Sequence, residues 1–177
     1  KSLEEFLVTA EKEGVNLILD LRNCPGGALT DVVPQMFGFF LGERKVVFCF
    51  RASGYVKDVF VTPYKKIFNG NMVVLINRNT VSAAEIMAGG LKYQKRVIIV
   101  GEKSFGKGLS QGVYSLPENK FISELKMTCA KSEVFFPFEK RYIAFDKIGI
   151  EPDIKIDPSL PVEEILNIPE VKEYLNK

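Results

Sequence analysis

Ser82 and Lys107 are a serine and a lysine that could together perform hydrolytic chemistry. The chain has no histidine, so a serine nucleophile must draw on another general base. A lysine activates serine when its amine is uncharged, a state that an apolar pocket favours. Lys107 has the uncharged neighbours Phe105 and Leu109, and Gln111 could orient its amine through a neutral hydrogen bond.

The stretch around Lys107, GEKSFGKG at 101–108, also comes within one residue of a phosphate-binding loop. Gly108 stands where that loop carries the Ser or Thr that holds Mg²⁺. A phosphate site also needs a helix directly after the lysine, whereas residues 108–117 alternate like a strand. A nucleotide-binding enzyme is therefore the weaker interpretation, and a solvated lysine in a glycine-rich turn is the non-functional alternative.

Ser82 falls where the apolar strand at 71–78 gives way to a small-residue helix. One interpretation is a helix cap, since Glu85 follows three residues later as in a capping box. The same position also aims the hydroxyl out of the carboxyl edge of a sheet, beside a helix N-terminus whose free N–H groups stabilise an oxyanion. The spacing is compatible with both roles.

The motif DLRNCPGG at 20–27 offers a second group of backbone donors. Gly26 and Gly27 follow a buried strand, and a glycine pair can turn its N–H groups toward a ligand without Cβ interference. A plain tight turn is the alternative. Asp20 and Arg22 at the strand end are interpreted as an ion pair that braces the turn.

Helices and strands must hold these candidate residues in position. The pattern of apolar residues predicts a single α/β domain with a mixed sheet. Strand, helix and strand in succession at 71–102 form a parallel crossover unit. Helices are also predicted at 2–13, at 28–42 with Pro34 in its first turns or at a kink, and at 162–177 as one or two pieces around Pro169. The remaining predicted strands are 15–21, two at 45–63 around a Ser-Gly turn, 111–116, 121–130, 133–138 and an extended 149–158, with breaks at Pro117, Lys131, Ser132 and Pro137.

Composition excludes several classes of protein. The 177 residues are 46% hydrophobic and 26% charged, as in an ordinary globular domain, and no apolar run is long enough for a membrane span. A net charge of +2 with scattered lysines argues against a nucleic-acid partner. Three cysteines without C-x-x-C spacing indicate no disulfide framework and no metal site, and we expect Cys24, Cys49 and Cys129 to be free and buried.

Four ordered motifs resemble the catalytic core of the tail-specific, or carboxy-terminal processing, serine proteases. The family pattern runs D-L-R-x-N/C-P-G-G, then S-A-S-E, then G-x-x-x-F-G-K-G-x-x-Q, then G-I-x-P-D. The motifs here are DLRNCPGG at 20–27, VSAAE at 81–85, GEKSFGKGLSQ at 101–111 and GIEPD at 149–153. The resemblance covers nearly the whole chain and implies the spiral ββα core shared with crotonases and Clp-type peptidases.

By this resemblance Ser82 is the nucleophile, Lys107 the general base and Gln111 the residue that orients the lysine. The N–H of Ala83 and that of Gly26 or Gly27 become the oxyanion donors. The implied activity is cleavage of polypeptides near apolar C-terminal tails, without metal or cofactor.

The chain departs from the family pattern at two positions and in its domain content. Ala84 replaces the second serine of S-A-S-E, and Tyr93 stands where some members carry an acid, so Gln111 is expected to assist instead. Family members usually carry a PDZ domain, and residues 1–177 are expected to be the catalytic core without it or the N-terminal helical segments. An extracytoplasmic location is expected from the family, while the sequence does not indicate the oligomeric state.

A non-catalytic binding module on the same fold is the alternative function. Related domains in retinoid carriers bind lipophilic ligands, and 14 phenylalanines with apolar strands at 45–62 could line such a pocket. Fold alone does not separate the two functions. The set Ser82, Lys107 and Gln111 favours the protease, because a pure binder has no need of it.

Overall fold

Four parallel strands form one of two sheets in the computed structural model, which describes residues 2–115 and 124–177. Their order is β1 (Leu17–Asp20), β4 (Met72–Ile76), β5 (Ile98–Gly101) and β9 (Ile154–Lys155). Asp20 pairs with Leu75, and Ile76 pairs with Gly101. The carboxyl ends of β1, β4 and β5 therefore meet at one edge of the sheet, which is the edge that carries the three candidate loops.

The second sheet is antiparallel. Its order is β3 (Tyr55–Val61), β2 (Val46–Ala52), β7 (Glu124–Phe136) and β6 (Leu109–Ser115), while β8 (Arg141–Ala144) also pairs with β7. The predicted α/β class with both kinds of strand pairing is confirmed, and the two kinds lie in separate sheets. The predicted Ser-Gly turn between β2 and β3 is present, with φ of 50° at Ser53 and 83° at Gly54.

Helix α3 (Ala83–Tyr93) lies against both sheets and against α2 (Val32–Leu41). All of its residues from 83 to 91 are buried, because small side chains let the neighbouring elements approach closely. A Cβ on Gly90 would lie 2.3 Å from Cζ of Phe37. The small-residue pattern of α3 is thus a packing requirement, and it fixes the position of the helix N-terminus at Ser82.

The predicted bounds of the first helix are confirmed, whereas the second helix begins at Val32 and so starts four residues later than the predicted range 28–42. Helix α1 (Leu3–Glu13) begins at Ser2, whose hydroxyl accepts from the N–H of Glu5, and ends at Gly14 in the left-handed conformation. In α2, Pro34 lies in the first turn, where its missing N–H costs no helical hydrogen bond.

The other face of the parallel sheet is covered by two short C-terminal helices, α4 (Val162–Ile165) and α5 (Pro169–Leu175). They bury Ile165 and Val171 against a second apolar cluster that includes Val73, Leu75 and Val100. Both faces of the central strands β4 and β5 are therefore buried, as their uninterrupted apolar sequences predict.

The predicted break at Lys131 and Ser132 is wrong, because both residues lie within β7 and pair with β2. The polar side chain of Ser132 is tolerated there since its hydroxyl shares a 2.6 Å hydrogen bond with that of Ser110. Strand β8 was not predicted from the sequence. The predicted break at Pro117 lies outside the described residues.

Burial of the cysteines was predicted correctly for Cys49 alone; Cys24 is half-buried and Cys129 exposed. In the part of the chain that the structure describes, no helix combines the length and apolar character needed to cross a membrane.

Candidate active site

Ser82 occupies a strained turn between β4 and α3. Its φ of 59° and ψ of −118° form a backbone conformation that normally requires glycine. Holding another residue there costs about 1–3 kcal/mol, and such strain concentrates at functional sites. The turn presents a half-exposed serine at the N-terminus of a buried helix. A tight strand-to-helix turn of this kind is how many hydrolases expose a nucleophilic hydroxyl.

Gly26 packs directly against this turn. Its φ is 85°, and a Cβ at this position would lie 2.6 Å from the Val81 carbonyl oxygen and 2.8 Å from the Ala83 nitrogen. Glycine is required here both for its backbone conformation and for the close approach. Gly27, in contrast, has open space around it. The structure thus brings the predicted oxyanion donors of both loops beside Ser82.

A cavity of about 370 Å³ brings most of the predicted site residues together. It is lined by Pro25, Gly26, Gly27, Leu29, Ser82, Lys107, Leu109, Ser110 and Gln111. Ala83 is not part of the lining, but its nitrogen lies beside Gly26 as described above. Residues that are far apart in the sequence therefore share one solvent-accessible site.

Ser82 and Lys107 make no direct side-chain hydrogen bond within the part of the chain that the structure describes. Both side chains line the same cavity, and both residues are half-exposed. Catalytic hydrogen bonds are often long or poorly aligned in enzymes without bound substrate, so shared access to one cavity is the relevant observation.

Glu85 is a further functional candidate. From the sequence we expect it only to take part in a capping box with Ser82. Its side chain is completely buried, and its carboxylate accepts four hydrogen bonds. The donors are the backbone N–H groups of Ser82 (2.9 Å), Gly106 (2.6 Å) and Lys107 (2.8 Å), and the hydroxyl of Ser104 (2.6 Å). One carboxylate thus ties the backbone of the candidate nucleophile to that of the candidate base.

The expected capping box explains only one of these four bonds, the one from the Ser82 N–H. The sequence signal is a single charged residue, Glu85, among the otherwise apolar residues 83–91 of the helix. Such a residue must be buried, and a buried carboxylate needs several donors.

A turn after β8 supports the lysine loop from its other side. The Lys147 N–H donates to the Gly106 carbonyl oxygen at 2.7 Å, and the Gly108 N–H donates to Asp146 at 3.1 Å. Directly after Gly108 the chain enters β6 and forms no helix, as the alternating sequence predicted. The arrangement therefore lacks the helix N-terminus on which a phosphate-binding loop depends.

Asp20 and Arg22 form the predicted ion pair, with 2.6 Å between the carboxylate and the guanidinium. Arg22 also donates to the carbonyl oxygens of Pro158 and Leu160, and so fastens the first loop to the C-terminal segment. Burial raises the pKa of Asp20, but the hydrogen bonds from Arg22 outweigh it and leave that pKa below its ordinary value. Tyr93 lies in a separate cavity with Asp153 and Tyr174, and it does not line the Ser82 cavity.

A second cavity, of about 310 Å³, adjoins the first and extends the groove. The two share Gly27, Leu29, Ser110 and Gln111. The second cavity is also lined by Ala28, Thr30, Phe50, Lys57, Asp58, Gly112, Cys129 and Ala130. A space with the apolar side chains of Leu29, Phe50 and Ala130 in its lining therefore adjoins the cavity that Ser82 lines.

Several known proteins that are similar to this chain are carboxyl-terminal-processing peptidases. Residues 1–156 match the model of peptidase family S41. Carboxyl-terminal-processing peptidase 2, chloroplastic, of Arabidopsis thaliana is 31% identical over 99% of this chain and 34% of its own length. The carboxyl-terminal-processing protease of a Synechocystis strain is 34% identical over 90% of this chain and 35% of its own length. The chain thus spans about a third of the length of these relatives.

Among solved structures, the photosystem II D1 C-terminal processing protease superimposes with a TM-score of 0.74 at 31% identity. The match covers 97% of this chain and 41% of that protein. This agreement supports the fold that the motifs implied. The chain belongs to peptidase family S41, together with carboxyl-terminal-processing proteases.

Proposed function

We propose that this chain carries the catalytic centre of a serine endopeptidase, with Ser82 as nucleophile and Lys107 as general base. The observation that carries the proposal is the single cavity lined by Ser82, Lys107, Gln111 and the glycine pair. The strained turn at Ser82 adds support, because strain of this kind persists where the surrounding structure enforces it.

In the proposed reaction the uncharged amine of Lys107 takes the proton from the Ser82 hydroxyl as its oxygen attacks the carbonyl carbon of the scissile peptide. The resulting tetrahedral intermediate collapses when the carbon–nitrogen bond breaks. The ammonium of Lys107 returns the proton to the leaving amine, and an acyl-enzyme ester remains on Ser82. Water, deprotonated by the same lysine, then attacks the ester and releases the new carboxyl terminus.

The negative oxygen of the intermediate is assigned to the N–H of Ala83 and an N–H of the glycine pair. Ala83 is the first residue of α3, and the first N–H groups of a helix have no partner within it. Donors aimed at such an oxygen each contribute about 10²–10³ to the rate in characterised serine hydrolases. Gln111 is assigned to orient Lys107 because its amide carries no charge that would hold the amine protonated.

We propose unstructured polypeptide tails with apolar residues as the substrates. The support is the second cavity, whose apolar walls include Leu29, Phe50 and Ala130 and which continues from the catalytic cavity. The names of the relatives describe them as carboxyl-terminal-processing enzymes, which agrees with such a substrate. From the family resemblance we also propose an extracytoplasmic location. Fractionation of the producing cell, with detection of the protein in each fraction, tests this location.

Lys107→Arg tests the assignment of the base. Arginine keeps the positive charge and approximate reach but does not deprotonate in proteins, so hydrolysis of an apolar-tailed peptide should fall to the level of Ser82→Ala. Lys103→Arg is the matched control, since Lys103 is an exposed residue of the same loop that pairs with Glu151. Full activity in Lys107→Arg would show that the base lies elsewhere.

A fluorophosphonate probe followed by mass spectrometry tests the nucleophile directly. We expect the label on Ser82 in the wild type and its loss in Ser82→Ala, with Ser110 unlabelled because its hydroxyl is buried and bonded to Ser132.

The second candidate function is a binding module for a lipophilic ligand or peptide. The second cavity, with Leu29, Phe50 and Ala130 in its lining, would favour it. A binder should retain its ligand affinity in both Ser82→Ala and Lys107→Arg, and it should show no hydrolysis in the wild type. Measuring affinity and turnover on the same peptide therefore separates the two functions.

A further inference from the structure

Three asparagines join the glycine-pair loop to the loop that carries Ser82. Asn23 lies three residues after β1, and Asn77 and Asn79 follow β4. Because β1 and β4 are neighbouring parallel strands, their two loops leave the same sheet edge side by side. The family motifs around Ser82, Lys107 and the glycine pair do not account for contacts among these amides.

Hydrogen bonds fix the orientation of each amide. Oδ1 of Asn77 accepts from the backbone N–H of Asn23 and from that of Asn79, both at 3.0 Å. Both donors are N–H groups, so the atom facing them must be oxygen. The Nδ2 group of Asn77 then donates to Oδ1 of Asn23 at 3.0 Å, and Nδ2 of Asn79 donates to the same oxygen at 3.0 Å.

Asn77 is therefore both donor and acceptor in this cluster, whereas the side chain of Asn23 serves only as an acceptor. Asn77 is 8% exposed, so its amide bonds form largely out of water. Asn23 has a φ of 58°, a left-handed conformation that asparagine and aspartate tolerate better than most residues. The cluster thus stabilises an unusual backbone conformation only three residues before Gly26.

Further hydrogen bonds join the same two loops closer to Ser82. The Thr80 hydroxyl donates to the Leu21 carbonyl oxygen at 2.8 Å, and the Val81 N–H donates to the Cys24 carbonyl oxygen at 2.9 Å. The contact ends where Gly26 meets Val81 and Ala83. The separation between the two sets of oxyanion donors therefore depends on how these two loops are joined.

We propose that Asn77, through Asn23, is a positioning residue that holds the glycine-pair loop in register with the Ser82 turn. The inference rests on the proposed function, because register matters for the oxyanion donors of an acyl-transfer reaction. A misplacement of about 1 Å at such a site can lower the rate about 10²-fold.

Asn77→Ala tests the proposal, with Asn79→Ala and Asn23→Asp as controls. Asn77→Ala removes three of the four amide bonds, whereas Asn79→Ala removes one and leaves its backbone bond intact. Asn23→Asp keeps every bond, because the carboxylate supplies the same acceptor. We expect kcat to fall about 10–100-fold in Asn77→Ala with KM within about twofold, and to change less than about threefold in both controls.

Affinity for a peptide boronate gives a readout that general destabilisation does not move. A boronate bound to Ser82 mimics the tetrahedral intermediate, so its affinity should weaken in parallel with kcat while KM for the peptide stays constant. Equal loss of kcat in Asn77→Ala and Asn79→Ala, or unchanged boronate affinity in Asn77→Ala, would overturn the proposal.

Hydrogen–deuterium exchange tests the loop contact without reference to activity. Amides at 21–27 should exchange faster in Asn77→Ala, while those of α3 after its first turn keep their protection. If the wild type hydrolyses no peptide, the proposed function fails and exchange alone decides the positioning role. Unchanged exchange at 21–27 refutes that role whatever the activity. If Asn77→Ala does not fold, Asn23→Ala takes its place in both measurements. It removes two of the four amide bonds from the exposed side, and one of them is the Asn77–Asn23 bond that Asn77→Ala also removes.

Discussion

The carboxylate of Glu85 accepts a hydrogen bond from the backbone N–H of Lys107 at 2.8 Å, and its same oxygen accepts from the N–H of Ser82 at 2.9 Å. The two residues assigned to the chemistry are thus fixed to one buried oxygen. Their backbones are thus held by one carboxylate, while both residues are half-exposed.

Glu85→Gln should lower both stability and activity. The amide has one acceptor oxygen and turns an NH₂ group toward N–H donors, so about two charge-assisted hydrogen bonds are lost at about 1.5 kcal/mol or more each. We expect the free energy of unfolding to fall by about 3 kcal/mol, measured by urea denaturation, with a loss of peptide hydrolysis.

Glu102→Gln is the matched control for that change. Glu102 pairs with the exposed Arg78, and such surface pairs contribute about 0–1 kcal/mol. An equally small effect in Glu85→Gln would contradict the role assigned to its carboxylate.

Gly26→Ala should abolish activity, whereas Gly27→Ala should be tolerated sterically. The new methyl group at position 26 would lie 2.6 Å from the Val81 carbonyl oxygen at a φ of 85°, while the one at position 27 meets open space. Comparing kcat and the thermal midpoint of the two variants checks this difference. A kcat in Gly26→Ala equal to that of the wild type would show that the close approach of Gly26 to the Ser82 turn is not needed.

The stabilising effect of Asp20 should depend on pH. Because its pKa is lowered in the folded protein, the ionised form stabilises the fold above the unfolded-state pKa and loses this effect as pH falls through the folded-state value. The difference in unfolding free energy between the wild type and Asp20→Asn should therefore shrink between about pH 6 and pH 3. Urea denaturation at both values measures it, and a constant difference would argue against the ion pair as its source.

Cys49 should resist alkylation in the folded protein. Burial, and then the adjacent Glu133 carboxylate, raise the pKa of its thiol to about 12, so almost none of the reactive thiolate exists at pH 8. Treatment with iodoacetamide at about pH 8 should leave Cys49 unmodified until denaturant is added, as followed by peptide mass spectrometry. Rapid labelling of Cys49 in the native protein would mean that the β2 face opens to solvent.

Much of the fold could be predicted from local sequence. Backbone preferences and apolar patterns that act within a few residues explain the helix end at Gly14, the helix start at Pro169, the turn at Ser53 and Gly54, and the buried parallel strands. The continuity of β7 through Lys131 and Ser132 could not be predicted, because the partners that satisfy those residues lie on β2 and β6.

For the site, residue types suited to the proposed reaction can be recognised from the sequence: a serine before a helix, a lysine in a glycine-rich stretch and a glycine pair, in a chain without histidine. Their spatial relation cannot be recognised in this way. The positive φ of Ser82, the approach of Gly26 to it and the four bonds to Glu85 join segments that are distant along the chain. Burial of α3 between two sheets sets these distances. A local sequence pattern does not specify where the loop on the opposite side will lie.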